Sequence, residues 1–324
     1  MTDSASSFDY RTLLTEASGS ESALAAFLQA LISKAAEKTS ASPDSHPLIT
    51  LNALKNLLSD RRNDPPQSIL SWAVKRVEGF SDASGPRIGS DRLKKNEMPG
   101  TLFISDLEEA IKSGDRASML TLAGYWFLAS ASPESLLNVF LQHLCPGGSG
   151  WTELLYAAHR SAGFCRSGDI LWKIILTLIQ MIPAQGLPHR RQATSAPVPE
   201  TLIEVILNDG NPELITRVAV LVRLWELENP RQTLIRKALG PELKALENDF
   251  LSAMPLEPIE HEELAGELDY LDLARELVEN STFTDDQIDS GIRVLEALRF
   301  LIPRVKQNKL PPVNWVLNQR KETP

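Results

Sequence analysis

Cysteine is nearly missing: two residues, Cys145 and Cys165, in a chain of 324. That number cannot build a disulfide framework, and with no CxxC pair there is no zinc-type spacing. Both fit a reducing cytoplasm. Basic excess is absent as well. The net charge is -9 and the sequence pI near 5.2, which disfavours nonspecific attraction to nucleic acid or anionic lipid. No apolar run is long enough to cross a bilayer; the most apolar window, Ile170 to Ile182, is short and carries Lys173, as a buried core helix would. The opening residues MTDSASSFDY lack the basic and apolar regions of a secretory signal. Glycine never falls in a GxxxxGK[ST] or GxGxxG phosphate loop, and in Gly147-Gly148-Ser149-Gly150 the position two after the serine is Trp151, so a nucleophile elbow is excluded and a helix–helix turn expected. Alternating apolar and polar runs bounded by hairpin turns are also missing, so nothing supports a sheet.

What the chain has in abundance is helical periodicity. Leu24, Phe27, Leu28, Leu31 and Ile32 share one helix face, as do Leu136, Leu137, Phe140, Leu141 and Leu144. Capping-box spacing at Ser18/Glu21, Ser105/Glu108 and Thr284/Gln287 marks helix starts, and Ser132-Pro133 and Asn211-Pro212 place a capping residue before a first-turn proline. Gly240-Pro241 reads as a stop and a new start. The expected helices are 20–38, 46–59, 66–79, 101–113, 115–130, 133–145, 151–165, 168–182, 199–208, 212–227, 231–239, 241–253, 260–279 and 285–301. The fold class is therefore all-α.

Internal likeness organises these helices. Glu21 to Leu31 aligns with Glu134 to Leu144 on the pattern ESxLxxFLQxL, and Leu107 to Asp115 aligns more weakly with Ile203 to Asn211. We read diverged helix-pair repeats packed as an antiparallel array that encloses a pocket, because no single segment can bury its own apolar face. The segments run 19–80, 101–187 and 199–302, with polar tails at 1–18 and 303–324 and Gly/Pro/Ser-rich loops at 81–100 and 188–198. The loops read as linkers in preference to lids. Trp315 is expected to pin the C-terminal tail.

Chemistry-bearing residues are sparse. Of His46, His143, His159, His189 and His261, no two lie three or four apart, so no helix offers an imidazole pair and no metal site is expected. His46 opens a helix, where the dipole would keep it neutral and able to accept a proton. His159 shares a helix with Leu155 and Tyr156. His143 is expected to point partly outward, and His189-Arg190-Arg191 to be a solvated loop. The carboxylate run from Glu257 to Asp272 around His261 reads as a solvated face. Tyr125, Trp126, Tyr156 and Trp172 are candidate walls of an apolar ligand pocket, although their helical spacing favours core packing. Cys145 and Cys165 flank adjacent helices and are expected to approach each other.

The run Leu107 to Asp115, the apolar helix after it and the Ser132-Pro133-Glu134 start resemble the repeat of the questin oxidase-like all-helical proteins. In that family a later helix opens with histidine before an apolar pair, and His46-Pro47-Leu48-Ile49 is similar; the second segment has Thr152 at the equivalent point. The resemblance implies an interior pocket and oxidation of an aromatic or polyketide-like substrate with a nicotinamide reductant, NADPH. Two functions follow. The favoured one is a helical-repeat module that binds a protein or a small apolar ligand. The alternative is an oxidoreductase of questin oxidase type, with His46 and His159 as catalytic proton acceptor and donor facing one cavity.

Overall fold

The computed structural model describes residues 10–83, 101–186, 197–252 and 269–305. The carboxylate run before Asp269, His189, His261, Trp315 and most of both loops lie outside the described residues. Fourteen α-helices and no strands form among those described: α1 (Tyr10–Glu16), α2 (Glu21–Ala35), α3 (Pro47–Leu58), α4 (Gln67–Glu78), α5 (Ile104–Ser113), α6 (Arg116–Ala129), α7 (Ser135–Leu144), α8 (Ser149–Cys165), α9 (Gly168–Met181), α10 (Ile203–Asp209), α11 (Pro212–Glu226), α12 (Gln232–Ser252), α13 (Tyr270–Glu279) and α14 (Asp285–Leu301). No helix is long and apolar enough to cross a membrane among the described residues.

Local chemistry sets most helix starts. Thr284 and Gln287 form a reciprocal capping box on α14. Asp115 and Asn211 cap α6 and α11 by accepting from two backbone N–H groups each. Each follows a left-handed glycine, Gly114 at φ 75° and Gly210 at φ 70°, so the two weakly aligned stretches make the same junction. Four starts differ from expectation. Ser132 and Pro133 do not open α7, which begins at Ser135 after a turn, and the Ser132 hydroxyl donates to Glu134 instead. Ser20, two residues after Ser18, caps α2, while the Ser18 hydroxyl instead binds Gln67 on α4. Ser105 caps nothing, because α5 begins at Ile104. Gly240-Pro241 does not divide α12, which runs through it. Proline removes one helix hydrogen bond there. The buried stripe Ile235, Ala238, Leu239, Leu243 and Leu246 continues across it, so packing holds the helix together.

At the centre, α3 packs on α8, α8 on α11, α11 on α14, and α14 back on α3, closing a ring of four. The pairings fix its direction. A Cβ on Gly150, at the start of α8, would lie 3.0 Å from the backbone of Asp44, just before α3; at the far ends, Lys55 of α3 sits 5.5 Å over the Phe164 ring of α8. Arg223 and then Glu226 of α11 meet Glu296 and then Arg304 at and beyond the end of α14. The ring helices are therefore parallel, and antiparallel packing lies outside the ring, as between α1 and α4, where Tyr10 meets Glu78 and Ser18 meets Gln67. Outside the ring, α2 with α9, α7 with α12 and α4 with α13 form a second layer; α5 and α6 pack on α7 and α9. Helices α2 and α7, which carry the ESxLxxFLQxL likeness, bury matching positions: Leu24/Leu137, Phe27/Phe140, Leu28/Leu141 and Leu31/Leu144. Each such side chain contributes about 1.5–3 kcal/mol on burial. The weaker likeness leads to different layers, since α6 lies outside and α11 in the ring. The cysteines do not meet: Cys145 precedes α8 and Cys165 ends it, about 24 Å apart at 1.5 Å per residue. Both are free, and burial pushes both thiols up.

Candidate functional site

Ring helices are buried along most of their length, yet each carries polar groups facing the ring axis. Asn52 of α3, Glu153 and Tyr156 of α8, Thr216 and Arg223 of α11, and Arg293 and Glu296 of α14 line a cavity of about 20 Å³, space for a buried water. Arg223 Nη1 donates to Glu296 Oε2 at 2.7 Å, its Nη2 donates to Oε1, and Asn56 Nδ2 donates to Oε1 at 2.8 Å. The Arg223 guanidinium also stacks 3.9 Å from the Phe300 ring centroid. Arg293 Nη1 donates to Glu153 Oε2 at 3.1 Å and to the Asp44 carbonyl at 2.8 Å. Burial pushes the Glu153 carboxyl up against the opposing pull of Arg293. Asn52, 4% exposed, has no hydrogen-bond partner for Oδ1 among the described residues.

Tyr156, Arg223 and Glu296 also line an open groove of about 420 Å³ at the C-terminal ends of the ring helices. Asn56, Ser59, Arg160, Glu226, Leu227, Glu228 and Arg299 also line this mouth. Behind Asn56 stands Lys55, whose Nζ donates to Asn56 Oδ1 at 2.7 Å. Burial, then the nearby charge of Arg160, lowers the Lys55 amine to about 8.

The six residues singled out in the sequence separate here. Tyr156 lines both the cavity and the mouth; burial raises its hydroxyl pKa. His46 is 1% exposed and caps α3: Nδ1 accepts from Leu48 N at 3.3 Å and Nε2 donates to the Lys38 carbonyl at 3.3 Å. Both nitrogens are thus used by backbone, and burial lowers the pKa to about 4, so the ring is neutral as expected. His159 is half-buried on α8 beside Arg160; burial and that charge lower its pKa. Because α3 and α8 run parallel with Asp44 level with Gly150, His46 and His159 lie roughly 10 Å apart along the axis. Neither lines the cavity or the mouth. Trp172, 1% exposed, packs against Phe127 with ring centroids 5.2 Å apart, a core contact between α9 and α6. Tyr125 and Trp126 lie half-buried on α6 in the outer layer. The residues overlooked were Asn52, Glu153, Arg223, Arg293 and Glu296. Their signal was faint: Glu296 sits among Val294, Leu295, Ala297 and Leu298, but it also continues the series Asp286, Asp289 and Arg293 at helical spacing, which reads as an ordinary solvated face.

Gly147 to Gly150 is the turn into α8, as its sequence implied. No groups that could hold a metal ion cluster among the described residues. No protein-family model, curated protein or solved structure matches this chain.

Proposed function

We propose that the protein is a helical binding module that captures a small ligand in the mouth of its four-helix ring. The observation that carries this reading is the continuity of the polar axis with the open groove through Tyr156, Arg223 and Glu296. Ligand sites commonly lie between the helices of a bundle, with a few convergent polar groups setting orientation. Charged lining moves the ligand from the apolar class suggested by the sequence toward a polar one. The same proposal takes the architecture as diverged outer–inner helix pairs, with α2–α3 and α7–α8 as the pair that retains the clearest likeness.

The oxidoreductase alternative, with its nicotinamide reductant, needs His46 and His159 at one cavity. With both His46 nitrogens committed to backbone, no observation favours it over binding. A thermal-shift screen of small anionic, neutral and cationic probes tests the proposal, run on the wild type and on Ser59→Phe, which fills the groove from its rim. Stabilisation of the wild type that disappears in Ser59→Phe is expected. Failure of every probe to bind, or binding indifferent to the filled groove, refutes it.

A further inference from the structure

The charge of the ligand can also be read from the mouth, an inference that rests on the binding proposal. Five cations gather at this end of the ring. Three are matched by carboxylates: Arg223 by Glu296, Arg299 by Asp60 and Arg304 by Glu226. Two are left over. Arg160 makes no ion pair among the described residues, and Lys55 Nζ has only the neutral Asn56 Oδ1 as acceptor there. A half-buried ammonium without a counter-charge is costly, and folded chains pair such groups unless something else supplies the partner. Around Lys55, the like charges of Arg160 on α8 and Arg223 on α11 are opposed by a single carboxylate, Glu296, which Arg223 already engages. This local excess stands in a chain whose net charge is -9. Deeper along the same axis, the unpartnered Asn52 Oδ1 opens on the inner cavity. Glu226 and Glu228 line the α11 side of the groove and confine an anion to the α3–α8 side.

We infer that the mouth takes a small organic carboxylate, its oxygens held by Arg160 in the groove wall, its body lying against Tyr156 and Leu227, and its charge matched by Lys55, which stands behind Asn56 just beneath the lining. The guanidinium offers a planar fork that matches a carboxylate, and the ammonium acts as a point charge beside it. The groups that face Lys55 are Arg160 and Cys165 on α8, Glu296 on α14 and Arg223 on α11. In the free protein the Lys55 amine titrates at about 8. A bound carboxylate raises that value, so binding at pH 8.5 takes up protons.

Isothermal titration calorimetry with benzoate, phenylacetate and hexanoate tests the inference, with benzamide and benzylamine as neutral and cationic counterparts. Titrations at pH 8.5 in two buffers of different ionisation enthalpy report proton uptake. The carboxylates are expected to bind in preference to the amide and amine, with net uptake of protons. Lys55→Met and Arg160→Gln should each weaken binding by about tenfold or more, the scale of one charge-assisted hydrogen bond. Uptake should vanish in Lys55→Met, while Lys55→Arg should retain the preference for carboxylates. Carboxylate binding that is unchanged in both charge-removing variants overturns the inference. If the amide or amine binds in the groove and the carboxylates do not, the inference falls and the binding proposal stands. If no probe of any charge binds, both fall.

Discussion

Removing the Lys55 charge should make the free protein more stable. The amine sits against Phe164 with no carboxylate partner among the described residues, and its pKa falls from 10.5 to about 8, chiefly by burial and then by Arg160. A base whose folded pKa is depressed weakens the fold wherever it is charged. The full penalty applies below pH 8, shrinks as pH rises from 8 to 10.5, and is gone above that. At 1.36 kcal/mol per pH unit, this shift corresponds to about 3 kcal/mol. Two terms oppose the gain in Lys55→Met. The lost bond to Asn56 is worth about 1 kcal/mol, and a cation in the last turn of α3 is favoured by about 0.3–1 kcal/mol through the helix dipole. Methionine keeps contact with Phe164. A net gain of about 1–2 kcal/mol at pH 7 follows, read as an increase in urea midpoint by circular dichroism at 222 nm with matched unfolding slopes. The advantage should shrink steadily between pH 8 and 10.5. A variant less stable than wild type at pH 7, or an advantage that ignores pH, would show that the amine is not a burdened charge.

The buried Arg223–Glu296 pair should behave oppositely: Glu296→Ala leaves the guanidinium uncompensated and costs about 3–5 kcal/mol, whereas adding Arg223→Met recovers much of that loss. Additive single and double variants in urea unfolding would contradict the pairing. His46, neutral in the fold with a pKa of about 4 against 6.5, contributes stability that is present above pH 6.5 and lost as pH falls through 4, about 3 kcal/mol in all. His46→Asn should therefore flatten the acid limb of the stability–pH curve, and an unchanged limb counts against the buried cap. Gly163, exposed on α8 with open space at its Cβ position, should accept alanine with a gain of about 0.5–1 kcal/mol. Gly186→Ala should cost more than about 2 kcal/mol, because φ is +73° and a Cβ would overlap the Lys112 carbonyl; thermal melts that rank these two the other way would refute both assignments.

Helices were legible because each buries a stripe, and a stripe has a period that the eye can follow. Leu24, Phe27, Leu28 and Leu31 announce α2 without any knowledge of its neighbours. Boundaries were legible where a side chain itself closes the turn, as Thr284 does with Gln287 or Asn211 with Glu213. They were misread at Gly240-Pro241, where two helix-breaking residues lost to five buried aliphatics. Helix α1 was missed because YRTLLTE is too short to show a period. The ring was illegible for a different reason. Its members are separated by 73 residues of chain at Arg223–Glu296 and by 240 at Asn56–Glu296, and no local pattern says that four helices spaced through the sequence run the same way. Histidine drew attention by its chemistry, yet His46 is spent on a cap. The groups that line the axis are ordinary Asn, Glu and Arg residues, conspicuous only once their apolar enclosure is recognised.

Parallel helices raise an electrostatic problem that bears on the mouth. Each helix end carries the equivalent of about half a charge, so four aligned C-termini concentrate about two negative charges at one end of the ring. Cations placed there offset it, and Arg299 and Arg304, 30% and 36% exposed, fit that role at little cost, each held by a carboxylate. The same explanation fails for Lys55. Its burial penalty of about 3 kcal/mol exceeds the dipole's contribution of at most about 1 kcal/mol at a surface site. A fold that needed only to neutralise helix ends would place this charge in solvent, as it does with the arginines. Retaining it beneath the groove, next to an arginine with no ion pair among the described residues, makes sense where a ligand carboxylate completes the pair, with stability given up in the free protein and recovered on binding.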